Sequence, residues 1–417
     1  MTETDATPNR PYRMRNQIQT YAWGTRNTAA FIPKLLGLSP ERDLPYAELW
    51  LGTHPKAPSL VELPDGPTVA LDAWVADHAE AALGPVVLAR FGELPFLLKV
   101  LSAGEALSIQ AHPSKAQAAV LHAKDPDHYP DANHKPEIAL ALDGLTALMG
   151  IKPFTELAAT LSRYPEMADV VGQELTERVL DAVPETLEEA AALAHELVSA
   201  LITRANSEPG ALTSAVDTLA KRLSAQSADL GEDEELFLDL RIRYGSDDVG
   251  LLTLFLLNLV HLAPSEALYV EAGVPHAYLK GNIIECMANS DNVVRVGLTP
   301  KFKDAETLLE IMDATPQRPT PLTGRAIGDA CTVYETPAAE FEIRRWSLAA
   351  GTEHIVKRDD SPAILLLTKG RVDLVWEGGS EAIGRGDALF VPASLKRYAM
   401  RAYEDSTLFE ASVGTKG

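Results

Sequence analysis

The chain has 417 residues, 46% hydrophobic and 23% charged, with 28 Pro and 27 Gly. That is the composition of a globular protein with too much sequence for one core, so two or three domains are expected. A formal net charge of −22 argues against nucleic acid as a partner, because phosphate neutralisation needs a basic surface, yet a few local cations can still bind a small anion.

Only two cysteines occur, Cys286 and Cys331. With no Cys-x-x-Cys pair, neither a thiolate zinc site nor a disulfide framework organises the chain. Met1 to Pro11 is polar and does not read as a signal peptide. The longest apolar run, Leu251 to Leu262, is interrupted by Asn258 and His261. It is too short to span a bilayer and reads as a buried element. A soluble, cytoplasmic protein without membrane contact is expected.

Residues 12 to 60 read as short extended pieces and turns, among them Tyr21-Ala22-Trp23-Gly24 and Tyr46 to Gly52 leading into Thr53-His54-Pro55. Leu71, Trp74, Val75 and His78 have helical spacing and predict one or two amphipathic helices over 70–91. Leu94 to Leu101 is an apolar strand carrying one charge, Lys99, which reads as a lysine buried for a purpose.

Ser108-Ile109-Gln110-Ala111-His112-Pro113 alternates sharply. As a strand it points Gln110 and His112 to one face and Ile109 and Ala111 to the other. An amide oxygen beside an imidazole is half of a metal site. Glu137, in Asn133-His134-Lys135-Pro136-Glu137, adds a carboxylate, and His276 supplies a further imidazole. This N/O set suits zinc or another first-row divalent ion. Ser114 is placed to N-cap a helix to Asp125. Strands are predicted at Glu137 to Leu142 and Leu145 to Met149.

Strand signals vanish from 153 to about 258, where Leu157 to Leu161, Leu187 to Arg204 and Leu212 to Leu223 show helical spacing. Lys152 to Asp248 holds 8 Lys/Arg against 20 Asp/Glu, a local charge of −12. An all-helical insertion with an acidic solvent face is expected. Strands return at Ala267 to Val270. Gly273-Val274-Pro275-His276 is a turn delivering an imidazole to a strand, residues 283 to 298 alternate around Asn289-Ser290-Asp291-Asn292, and 305 to 313 reads as a short helix. From 331 onward short strands separated by glycines suggest a jelly roll. Gly384 to Pro392 has the pattern of a second cupin motif, but Ala393-Ser394 stand where its metal-binding His is expected. His354 is the only histidine in that segment, so a metal-free barrel is predicted.

Taken together, the blocks Tyr46-Ala47-Glu48-Leu49-Trp50 with Gly52-Thr53-His54-Pro55, Leu107 to Pro113, Asn133 to Glu137, and Gly273 to Tyr278 running on through Glu285-Cys286-Met287-Ala288, Ser290-Asp291-Asn292, Val294-Arg295 and Gly297 to Phe302 carry a resemblance. In order and content they resemble the type I mannose-6-phosphate isomerases (phosphomannose isomerases), over residues 21 to about 303. The resemblance implies one zinc ion per chain, held by Gln110, His112, Glu137 and His276, the four residues that the bare chemistry suggests. It implies interconversion of mannose 6-phosphate and fructose 6-phosphate through a cis-enediol. It leads to a mainly β fold of cupin or jelly-roll barrels with a helical insertion. The catalytic β domain would comprise 1–152 plus 259–320, the insertion 153–258, and a C-terminal cupin-like domain without metal 321–417.

The chemistry assigns roles within that frame. Removing a proton next to a carbonyl builds charge on its oxygen, which zinc and the fixed charge of Arg295 can stabilise. Two candidates for the base stay open: Glu285, whose carboxylate needs a raised pKa, and Lys135, whose ammonium needs a depressed one. Ser108, Lys99 and Lys301 are the candidate contacts for the substrate phosphate. His54, His78, His122, His128 and His195 read as structural or surface residues, and His134 as an outer partner of the metal loop. The alternatives are a non-catalytic cupin that senses sugar phosphates and an iron-dependent cupin oxygenase; retention of every ligand and of the cationic cluster favours the isomerase. A monomer acting on a phosphosugar, in mannose breakdown or in supply of activated mannose, is expected.

Overall fold

The computed structural model describes residues 8–64, 66–226 and 229–414. Residues 1–7 of the polar N-terminal stretch lie outside the described residues. The framework is β, although helix and strand content are nearly equal, because most helices gather between Phe154 and Thr253. No described helix is long and apolar enough to cross a membrane.

Three sheets carry the framework among the described residues. The central sheet orders Arg325–Ile327, Cys331–Tyr334, Glu342–Leu348, Ser406–Ser412, Ala363–Lys369, Ala388–Val391, Tyr12–Arg15, Leu60–Glu62 and Thr68–Ala70. The second sheet orders Ala267–Val270, Glu137–Ile151, His276–Ala288, Phe96–Ala103, Glu48–Gly52 and Gln17–Gln19, with Ile109–Ala111, Val294–Gly297 and Leu257–Leu262 paired beside that path. A four-stranded sheet, Glu353–Lys357, Arg397–Ala402, Arg371–Trp376 and Gly379–Gly384, completes the set.

The pleat explains the layering. In the second sheet Leu49, Leu51, Leu98, Val100, Ile138, Leu140, Ile284 and Cys286 point to one face, where they share a core with Tyr12, Ile343, Ile364, Phe390 and Phe409 of the central sheet. The alternate residues Glu48, Trp50, Lys99, Glu137 and Glu285 must point to the opposite face. A slip of one residue in any of these strands would drive a charge into the apolar core, so burial itself fixes the register of the polar face. On the far side of the central sheet, Leu365, Leu389 and Leu408 pack on Val372, Leu374 and Met400 of the four-stranded sheet. The helical insertion packs through Leu157, Leu197, Leu219 and Phe255 onto Ile109, Leu148 and Leu279.

Several expectations are corrected. Glu137–Ile151 is one continuous strand of 15 residues instead of two. His276–Ala288 is likewise a single strand that starts at the expected metal ligand. The two pair along their length with register shifts near Gly281, and a Cβ on Gly281 (φ 136°) would run into Gly144 O. The two glycines let both strands bend where the sequence suggests a break. The insertion also holds helices the spacing did not reveal, Glu166–Val171, Gln173–Asp181 and Glu232–Tyr244, and helical structure ends at Leu256, where the strand Leu257–Leu262 begins. As a separate feature, the three strands within 12–70 that end the central sheet join the C-terminal strands through Tyr12–Arg15, so that sheet draws on both ends of the chain. No described sheet closes on itself by hydrogen bonding; face-to-face β layers are what the structure has.

Candidate active site

The polar face of the second sheet and the short strands beside it form the floor of a cavity of about 1120 Å³. Its lining includes Glu48, Trp50, Lys99, Ser108, Gln110, Lys135, Tyr278, Glu285, Arg295 and Lys301. Every residue that the sequence suggested for catalysis or substrate contact therefore reaches one cavity. His112, Glu137 and His276 lie behind the lining residues Gln110, Lys135 and Tyr278, all buried, with their ligand atoms within 4.8 Å of one another.

Local structure brings these three together. Ile109 and Ala111 are buried on the core side of Ile109–Ala111, which sends Gln110 and then His112 the other way. Proline follows His112, and Ser114 caps the next helix with a full capping box to Gln117, so the chain turns away at that point. The Gly273 turn is fixed by its own N–H, which donates to His112 O at 2.8 Å, and a Cβ on Gly273 would strike Ile311 O at 2.5 Å. His276 then pairs directly with Gln110 across the ladder.

The donor set tests the fit of a cation. Nδ1 of His112 lies 2.9 Å from Asn292 O, and Nδ1 of His276 lies 2.9 Å from Val274 O. A carbonyl only accepts, so both rings carry their proton on Nδ1 and offer a lone pair at Nε2. Those Nε2 atoms stand 3.4 and 3.3 Å from the Glu137 carboxylate oxygens. Three acceptors thus face one another with no proton between them, and Glu137 Oε2 is buried without a well-directed hydrogen bond. A divalent ion with N/O preference fits this arrangement. Burial, then the neighbouring Lys135 ammonium, pushes His112 down to about 4, so its ring is neutral. Burial acts to raise Glu137, but the Lys135 ammonium beside it acts the other way, and the carboxyl is held well below its usual range. Gln110 places its amide beside the cluster with Nε2 3.5 Å from His276 Nε2, while Ser108 donates to its Oε1 at 3.1 Å. Turning the amide over would present the oxygen to an ion.

Around this centre the charges are arranged in pairs. Lys135 Nζ lies 3.0 Å from Glu137 Oε2 and 3.5 Å from His112 Nε2. Lys99 Nζ lies 2.9 Å from Glu285 Oε2 and 3.7 Å from Glu48 Oε1. Burial raises the Glu285 carboxyl above its ordinary value despite the pull of Lys99. Lys99, expected on the phosphate, instead has two carboxylates for company. Arg295 makes no ion pair among the described residues, and burial lowers its guanidinium. Lys301 is exposed at the mouth with its ammonium 5.3 Å from the centre of the Tyr21 ring. Arg295 and Lys301 are thus two cavity cations with no carboxylate partner among the described residues.

The histidines expected to be structural lie away from the cluster. His54 is buried on Trp50, with Nε2 3.4 Å from Asp291; His195 bonds Leu309 O; His78 stacks on Trp74; His122 bonds Tyr129 O; and His128 stacks on Phe302. His134 reaches Glu340 at 2.7 Å and so ties the loop before Glu137 to the C-terminal segment. Sequence reasoning missed Glu48, Tyr278 and Asn292. Tyr278 donates its hydroxyl to Glu137 Oε1 at 2.8 Å; its signal was the spacing of two from His276, which puts both on one strand face. Glu48, an acid in an otherwise apolar strand, gave the signal that Lys99 gave.

Fold and site together define a β-layered protein with a buried histidine–carboxylate site suited to a metal ion, set beside a large cavity lined by charged residues. Residues 12–154 match the family model of the phosphomannose isomerase type I catalytic domain. The chain is 38% identical over 397 residues to mannose-6-phosphate isomerase of Rattus norvegicus, with 90% of this chain and 92% of that one covered. It is 35% identical over 416 residues to mannose-6-phosphate isomerase 2 of Arabidopsis thaliana, with 97% and 94% covered. The crystal structure of mannose 6-phosphate isomerase from Salmonella typhimurium bound to substrate and to zinc superposes with a TM-score of 0.83 at 30% identity, with 97% of this chain and 99% of that one covered. The chain belongs to the type I mannose-6-phosphate isomerase family.

Proposed function

We propose that this protein interconverts D-mannose 6-phosphate and D-fructose 6-phosphate, using one zinc ion per chain. The observation that carries the reading is that the ligand atoms of His112, His276 and Glu137 lie within 4.8 Å of one another, behind the wall of a cavity that Glu285 also lines. Gln110, His112, Glu137 and His276 would hold the ion. When bound, zinc supplies Lewis acidity that favours negative charge on a substrate oxygen.

The chain's own groups do the rest. Glu285 takes the proton from the sugar carbon next to the carbonyl and returns it to the neighbouring carbon, passing through a cis-enediol, while the hydroxyl proton moves from the one sugar oxygen to the other. Its burial suits it to that task, because a carboxylate with a raised pKa is a better base. Lys135, pinned between Glu137 and His112, suits charge compensation better than proton removal. Arg295 directs fixed positive charge at the developing oxyanion. Lys301 at the mouth and the Ser108 hydroxyl fit the phosphate end of the substrate, and Lys99 fits better as the partner of Glu285.

The finer architecture belongs to the same proposal. Two cupin or jelly-roll units are inferred, a catalytic one from 1–152 and 259–320 and a metal-free one from 321–417, with 153–258 as the helical insertion. A cytoplasmic monomer with a phosphosugar as its only partner is the matching cellular reading.

The test is conversion of mannose 6-phosphate to fructose 6-phosphate by purified protein before and after chelation. Turnover that disappears with the chelator and returns with added zinc supports the proposal. A folded, zinc-loaded protein without turnover would overturn it in favour of a sugar-phosphate-binding protein.

A further inference from the structure

Glu48 is a buried carboxylate in the cavity, and the chemistry above gives it no task. Its position follows from register. Trp50 pairs with Lys99, and Lys99 pairs with Glu285, so the three side chains form a row across three antiparallel strands. Glu48 lies two residues from Trp50 on the same face. The Trp50 indole N–H donates to Glu48 Oε2 at 2.6 Å and so fixes the carboxylate. Its other oxygen lies 3.7 Å from Lys99 Nζ, which is itself 2.9 Å from Glu285 Oε2 and 5.3 Å from the centre of a Trp50 ring. One ammonium stands between two buried carboxylates.

A carboxylate that holds an ammonium to itself is a poor proton acceptor, since protonation gives up the ion pair in a medium of low dielectric. A second carboxylate on the far side of the ammonium weakens that grip and also repels negative charge on the first. Both effects ease protonation of Glu285. The charged groups that face Glu285 are Lys99 on Phe96–Ala103, Glu48 on Glu48–Gly52, Glu137 at the start of Glu137–Ile151 and Lys135 in the loop just before it.

We propose that Glu48 is a positioning residue for Glu285: it shares the Lys99 ammonium from the opposite side, so that Lys99 orients Glu285 without preventing it from taking up the substrate proton. The proton leaves the sugar carbon for the Glu285 carboxylate and returns from that carboxylate to the adjacent carbon, while the hydroxyl proton passes between the two sugar oxygens, so Glu285 ends each cycle ionised. The inference rests on Glu285 being the base.

The experiment compares zinc-loaded wild type, Glu48→Asp, Glu48→Gln and Glu285→Gln by kcat, KM and the acid limb of the kcat–pH profile. Glu48→Gln removes the competing charge, so Lys99 falls wholly to Glu285. The expected result is a kcat lowered about 10-fold or more, little change in KM, and an acid limb displaced by about one unit towards lower pH. Glu48→Asp keeps the charge but withdraws it from Lys99, so an intermediate displacement is expected. In a Lys99→Met background Glu48→Gln should displace the limb much less. Unchanged kcat and acid limb in folded Glu48→Gln overturn the proposal; if that variant does not fold, an unshifted Glu48→Asp does so. Glu285→Gln that keeps its turnover overturns the base assignment itself. Glu285→Gln without turnover, beside an unshifted Glu48 variant, overturns only the role of Glu48.

Discussion

Lys99 and Glu285 are direct partners on adjacent antiparallel strands, and their charges meet at 2.9 Å on the face of the sheet that looks away from the core. A buried pair of this kind does not by itself argue for stability, since desolvation of two ions offsets much of their attraction. Its location in the wall of the large cavity argues for chemistry. Replacing Glu285 by Gln keeps the shape and removes the basic group, so kcat should fall by about 100-fold or more with KM little changed. Steady-state kinetics on the zinc-loaded variant check this, and a variant that retains most of its kcat would reassign the base.

The pH dependence follows from the same carboxyl. Burial raises its folded value above that of an ordinary carboxylate. A base must be ionised, so activity is present above the raised value and is lost as pH falls through it. The acid limb of kcat is therefore expected above the ordinary carboxylate range, and a limb at or below that range would contradict the assignment.

Arg295 makes no ion pair among the described residues and lies in the cavity wall, so its positive charge is free for the substrate. Arg295→Ala should lower kcat/KM by about 100-fold or more, the effect expected for loss of one buried charge-assisted contact in a transition state. Arg295→Lys should recover part of this, because the charge returns without the planar fork. Wild-type kcat/KM in Arg295→Ala would remove it from the machinery.

Asn292 holds the metal centre from outside. Its carbonyl receives the Nδ1 proton of His112, and its amide nitrogen reaches Asp131 O at 2.7 Å and Asn133 O at 2.9 Å on the loop that leads to Glu137. Losing that amide frees both approaches to the ion. Asn292→Ala should weaken zinc binding by about 10- to 100-fold, measured by competition with a chromogenic chelator. Unaltered affinity would assign the amide to loop structure alone.

Gly281 gives a prediction about the frame. At its positive φ an added methyl would run into Gly144 O, within the pairing of the two longest strands. Gly281→Ala should cost about 2 kcal/mol or more, read from denaturant unfolding of the zinc-loaded protein. Neutral behaviour would show that the bend can relax.

The sequence by itself determined the elements that have strong local physics. Alternation placed Gln110 and His112 on one face, the capping residue Ser114 opened its helix, and the loss of strand pattern after 153 marked the insertion. Chemistry of residue types then picked out His112, Glu137 and His276 before any geometry was known. Roles that depend on neighbours were out of reach. Lys99 reads as a candidate phosphate contact from its own strand, and nothing local shows that its ammonium also meets Glu285 and Glu48, which come from two other strands. The continuous strand Glu137–Ile151 read as two, because Gly144 is a breaker in isolation and a fitted partner beside Gly281. The sheet that joins Tyr12–Arg15 to Ala388–Val391 pairs residues more than 370 positions apart, as Tyr12 with Phe390. Such pairing is decided by which apolar faces find one another in the folded core, and that information is spread over the whole chain.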